Sequence, residues 1–148
     1  MASLGAQPVT VLTQDECWTL LASEQVGRLA TSVVDQPEIF PVNFACRPPS
    51  ILIRTAEGTK LLSTAINERV AFEADAHTAT DGWSVVVKGR VHLLSTQAEE
   101  DAAERYALRS WVPLAKQRYL RIDVTQISGR RFVFGPEPDA AGGPEPAD

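Results

Sequence analysis

Apolar positions recur at every second residue over most of this chain, so strands are its main expected element. Val26 to Val34, VGRLATSVV, sets Leu29, Thr31 and Val33 on one face. Asp35-Gln36-Pro37 is turn chemistry. Glu38 to Arg47 is a second strand, Pro48-Pro49-Ser50 a second turn, and Ile51 to Thr55 a third strand. Short polar turns between consecutive strands predict an antiparallel meander. Arg69 to Ala74 is a fourth strand, and Asp75 to Asp81 a polar loop. Gly82 to Leu94 is a long strand with Trp83, Val85, Val87, Val91 and Leu93 on one side. Gly89 interrupts it and predicts a bulge or bend. Tyr119 to Thr125 alternates as a strand, and Arg131 to Phe134 is a final short one.

The alternation gives way to helix signals in three places. Thr13 with Glu16 forms a capping box, with Leu12 and Cys17 as its staple. The helix that follows carries Cys17, Leu20 and Leu21 on one face and ends at Glu24-Gln25. Glu57 to Asn67 reads as a short helix. Thr96 with Glu99 caps another, running from Gln97 to about Arg109. Residues 1–12 are expected to be a flexible leader, 13–135 one domain, and 136–148, rich in proline, glycine and acid, a disordered tail. The expected fold class is mainly β with inserted helices. A long bent strand with short neighbours suits a small closed or split barrel better than a flat sheet.

Composition narrows the function. The chain has 148 residues, 44% hydrophobic and 22% charged, with a net charge of −5. An acidic balance argues against nucleic-acid binding. There is no apolar run of membrane-spanning length and no secretory signal. Two cysteines, Cys17 and Cys46, lack metal-ligand spacing, so a reduced cytoplasmic setting is the simplest expectation. Metal ligands are not expected. No Gly-x-Ser-x-Gly, HExxH or Walker pattern is present.

The candidate chemistry centres on ILIRTAEGTK, residues 51–60. The third strand delivers Arg54 and Thr55 to a helix entrance, and Thr59 and Lys60 occupy that helix's first turn. A cation there opposes the helix dipole. A bound phosphate removes the conflict and uses the free N–H groups. The alternative is an ordinary strand-to-helix turn with solvated charges. Gly82-Trp83-Ser84 opens the long strand. Trp83 either packs in the core or stacks on a flat ligand, and Ser84 faces the other way. Asn43, inside Phe40-Pro41-Val42-Asn43-Phe44, either satisfies a neighbouring turn or reads a ring lying on the sheet. Pro41 cannot donate to a ladder and predicts an edge or a bulge. Arg28 is a surface cation or a carboxylate's partner. Glu73 and Asp75 read as solvated carboxylates, and His92 as exposed. Arg47 beside Cys46 is expected to lower that thiol's pKa somewhat. No basic cluster is visible beyond Arg54 and Lys60.

The succession GRLA, PEIFPVNF, ILIRTAEGTKL, VAFEAD and GWSVVVKGRV resembles the pyridoxamine 5′-phosphate oxidase-like family of flavin-binding split barrels. It most resembles the small branch that includes nitroimidazole-resistance proteins, over roughly Gln14 to Phe134. The resemblance implies a six-stranded antiparallel split β-barrel and a homodimer with two FMN molecules at its interface. It implies that Arg54, Thr55, Thr59 and Lys60 hold the FMN phosphate. Val42, Asn43 and Phe44 would run beside the isoalloxazine, and Trp83 and Ser84 would approach it, from the second subunit where needed. The implied activity is flavin-dependent electron transfer to or from a small molecule, with a nicotinamide coenzyme among the donors. The chain's end, GRRFVFG, lacks the histidine of the oxidase's substrate-phosphate motif, which argues against vitamin B6 oxidation. Flavin storage and deazaflavin-dependent reduction are the alternatives within the same fold.

Overall fold

Thr13 starts the first helix as its sequence predicts. In the computed structural model, which describes residues 7–55, 68–105 and 118–136, the Thr13 hydroxyl accepts from the Glu16 N–H at 3.2 Å. The Glu16 carboxylate accepts from the Thr13 N–H at 2.9 Å. This capping box opens α1, Gln14–Leu21. Leu12 and Cys17 are buried as the staple requires. A second capping box at Thr96 and Glu99 opens α2, Gln97–Glu104, which ends with Arg105 as its C-cap, short of the expected Arg109.

Seven strands make up the rest of the described residues: β1 Val9–Val11, β2 Val26–Val33, β3 Gln36–Arg47, β4 Ser50–Thr55, β5 Arg69–His77, β6 Asp81–Leu93 and β7 Arg118–Val133. All pairings are antiparallel, in the order β1-β7-β4-β3-β2-β5-β6, and β6 pairs back onto β7. Six strands thus close a ring, with β1 added on the outside of β7. This is the expected antiparallel split barrel. Inward residues of all six strands form one core, including Leu29, Phe44, Ile53, Phe72, Val87 and Leu120. Phe44 meets Phe72 edge-on, with centroids 4.8 Å apart. Cys17 and Leu21 of α1 join this core. A smaller cluster of Leu52, Leu94, Ala103 and Tyr119 seats α2 outside the barrel.

Four element boundaries differ from the sequence expectation. Val9–Val11, read as loose leader, pair with Arg130–Phe132 of β7. The β2–β3 turn is Val34-Asp35, both at positive φ (47° and 63°), because Gln36 and Pro37 already pair with Val33 and Ser32. Asp75, Ala76 and His77, read as loop, pair with Ser84, Trp83 and Gly82. The reversal is held instead by Thr78, whose hydroxyl accepts from the Thr80 and Asp81 N–H groups. The two short strands expected near the end are one strand of 16 residues. It is continuous because β6 pairs with it from Leu120 to Val133, with the register shift at Lys88/Gly89 that the glycine predicted.

The expected helix at 57–67, the segment Trp111-Val112-Pro113, and the tail beyond residue 136 lie outside the described residues. Among the described residues no helix is long and apolar enough to cross a membrane.

Candidate functional site

The β3–β4 pair carries the first half of the expected site. Asn43 lies directly opposite Arg54, and Arg54 opposite Tyr119 on β7. Residues facing each other across a ladder share a face, so these three lie on the outer surface of the barrel. Asn43 and Arg54 are half-buried there, and the guanidinium lies 5.9 Å from the centroid of the Tyr119 ring, within cation–π range. Val42 and Phe44 point the other way and are core residues, 5% and 3% exposed. Their side chains therefore serve packing. Thr55 ends β4 opposite Arg118. Thr59 and Lys60 lie outside the described residues.

Pro41 explains why β3 suits a ligand-facing position. The Phe44 N–H donates to the Gln25 carbonyl at 3.0 Å, so by alternation the Pro41 nitrogen points away from β2. On that side β4 covers only Asn43–Arg47. Among the described residues Pro41 has no ladder partner on that side, the position its missing N–H tolerates.

Trp83 and Ser84 lie elsewhere. Trp83 belongs to the core cluster and is 9% exposed, so its indole packs inward and the core reading holds. Ser84 faces out, opposite Asp75 on β5 and Arg130 on β7. Arg54 meets β7 at Tyr119, near the other end of that strand. Along β7 Arg54 and Ser84 are far apart, but across the other strands they share one outer face: Ser84 faces Asp75, Arg28 of β2 reaches Asp75, and β2 pairs with β3, where Asn43 faces Arg54.

Between them the outer face holds a charged cluster that the sequence did not reveal. Arg28 on β2 lies opposite Glu73 on β5. Its guanidinium reaches Glu73 at 3.1 Å and Asp75 at 2.8 Å. The two carboxylates are therefore not merely solvated. Partial burial and a hydrogen bond to Asp75 raise the Glu73 pKa to about 7, against the pull of Arg28. The same hydrogen bond, helped by Arg28, lowers the Asp75 pKa. The two carboxylates titrate as a pair, with Glu73 raised and Asp75 lowered. Their spacing of two residues on a strand was legible, but Arg28 is 47 positions away from Asp75. A groove of about 260 Å³ borders this cluster, with Ala30 and Ala71 as its floor and Ile39 and Val86 beside them.

Two further expectations are corrected. Burial pushes the Cys46 thiol up to about 12, so proximity of Arg47 does not activate it. His92 is not merely exposed; its Nε2 lies 3.0 Å from the Asp123 carboxylate. Among the described residues no group of three or more His, Cys, Asp or Glu side chains could hold a metal ion.

The profile of the family described as pyridoxamine 5′-phosphate oxidase matches residues 13–131. An uncharacterised protein of Mycobacterium tuberculosis is 48% identical over 90 residues, 61% of this chain and 82% of that one. A solved structure from Corynebacterium glutamicum superposes with a TM-score of 0.84 at 38% identity, covering 90% of this chain and 99% of that one. An FAD-binding protein from Mycobacterium smegmatis superposes with a TM-score of 0.74 at 47% identity, covering 85% and 100%.

Proposed function

The chain belongs to the pyridoxamine 5′-phosphate oxidase family, and from that premise we propose that it binds a flavin and passes electrons between that flavin and a small molecule. The observation that carries the reading is the 47% identity to an FAD-binding protein over nearly the whole fold. FMN, the phosphate-terminated form, is the proposed cofactor. The outer-face donor set fits such a group: a half-buried guanidinium and an amide stand side by side at Arg54 and Asn43. The chain then runs on from Thr55 to Thr59 and Lys60, which complete the proposed phosphate clamp.

The flavin, when bound, supplies hydride-accepting chemistry, so the protein needs no acid–base residue of its own for electron transfer. Arg54 and Lys60 would neutralise the phosphate, the Thr55 and Thr59 hydroxyls would donate to it, and together they would fix one end of the cofactor. Asn43 offers an amide that both donates and accepts, and thus orients a ring with mixed edges. Ser84 supplies a hydroxyl at a second contact. Because Arg54, Asn43 and Ser84 lie on one outer face of the barrel, a second copy of the chain laid over that face completes the proposed site as a homodimer. Ile39 (66% exposed) and Val86 (38% exposed) on the outer face support such an association.

The test is optical. Purified protein, or protein incubated with FMN, is expected to show the absorption bands of oxidised flavin. Reduced nicotinamide coenzyme under anaerobic conditions is expected to bleach them. Protein that stays colourless with added FMN, FAD or deazaflavin overturns the reading. A bound flavin that no donor reduces points to storage instead.

A further inference from the structure

A second cationic site lies on the outer face, at the end of the β2–β5–β6 surface away from Ser84. Arg69 on β5 is directly opposite Arg90 on β6, and Lys88, opposite Ala71, shares their face. Like charges facing each other across a ladder destabilise a sheet. This chain places three together although its net charge is −5. They border a cavity of about 580 Å³ in whose lining, among the described residues, there is no carboxylate. Lys88 and Arg90 make no ion pair among the described residues. The nearest acid across the ladder from Arg90 is Asp123. Its carboxylate is already held by Arg121 at 2.9 Å and His92 at 3.0 Å.

The cavity lies beside the bulge. At Lys88/Gly89 the β6–β7 register slips, and Thr125 turns its hydroxyl to the Lys88 carbonyl at 3.1 Å. Gly89 cannot be replaced cheaply: a Cβ there meets the Asp123 carbonyl and the Ile122 side chain. Thr31, Ser32 and Gln126 add hydrogen-bonding groups to the wall, and Thr31 is itself 8% exposed. Towards Arg28 the cavity shares Ala30 and Ala71 with the neighbouring apolar groove.

We propose that the cavity bordered by Arg69, Lys88 and Arg90 binds the phosphate end of a small anionic molecule, whose less polar part lies over Ala30 and Ala71. Lys88 and Arg90, without an ion pair among the described residues, stand beside Arg69 with hydroxyl and amide groups, a set that suits a phosphoryl group. The site is separate from the proposed flavin clamp. Arg54 meets β7 at Tyr119, whereas Arg90 meets its other edge at Asp123, roughly 13 Å further along the strand. The proposal does not depend on the flavin reading.

The experiment is calorimetric titration of the full chain, with whatever flavin it carries, using pyrophosphate and orthophosphate at constant ionic strength. Saturable binding is expected, and each cation removed in Lys88→Gln and Arg90→Gln weakens it about tenfold or more. A melting curve guards against misfolding. Without ligand, the Lys88→Gln/Arg90→Gln variant should melt no lower than the native chain, since repulsion is relieved. Pyrophosphate should raise the native melting temperature and not the variant's. No binding at millimolar pyrophosphate, equal binding by the variant, or displacement of bound flavin by pyrophosphate would each overturn the proposal.

Discussion

Arg54 stands on the outer face beside Asn43, and its removal together with Lys60 tests the phosphate clamp. Deleting one charge-assisted hydrogen bond costs about 1.5–3 kcal/mol, so Arg54→Ala with Lys60→Ala should weaken FMN binding by roughly two to four decades. Fluorescence titration with FMN measures it, and circular dichroism shows whether the barrel survives. Glu73 gives a pH prediction. In the fold it keeps its proton to about pH 7, whereas its ordinary pKa is 4.5. The folded state binds the extra proton between those values, so this contribution to stability is lost as pH rises through that window. Asp75, whose pKa is lowered, acts at more acidic pH and in the opposite direction. Melting temperatures taken from pH 5 to pH 8 should therefore fall more steeply for the native chain than for Glu73→Gln, which stays neutral throughout. Parallel slopes would mean that Glu73 is ionised in the fold.

At the scale of elements, the turns and the bulge hold the information that alternation alone does not carry. Val34 is β-branched, 84% exposed and at φ 47°, a backbone region such residues avoid. Val34→Asn should stabilise the hairpin by about 1 kcal/mol, read as a higher urea midpoint with an unchanged slope. Gly89→Ala should do the reverse. Its methyl group meets backbone on β7, and strand separation should cost about 1–3 kcal/mol by the same measurement. The capping boxes and the Gly89 bulge were legible because each is a local pattern with a mechanism. The extent of β5 and β7 was not. Asp75 to His77 looks like loop until Ser84, Trp83 and Gly82 are placed opposite. Gln126 to Arg130 looks like a break until β6 runs beside it. Cross-strand partners, not intrinsic preference, make those residues strand.

At the scale of the molecule, the ring of six strands was readable from the motif order, whereas the surface that the ring creates was not. Arg28 with Glu73 and Asp75, and Arg69 with Arg90, are neighbours only because β2, β5 and β6 lie side by side. No spacing within one segment announces them. The proposed dimer is tested on that same surface. Ile39→Glu with Val86→Glu places charge where side chains are exposed in the single chain, so the barrel should fold. Light scattering should then report a monomer where the native chain is a dimer; a native monomer would remove the shared site. One consequence concerns synthesis. β7 follows in sequence every strand it joins, and it pairs with β1, β4 and β6. Until residues 118–133 leave the ribosome, β4 and β6 each present an unpaired edge, and the apolar interior lacks its closing wall. Closure therefore waits for translation to pass β7. The nascent chain meanwhile is an open sheet, the form in which chaperones matter most and in which truncated products aggregate.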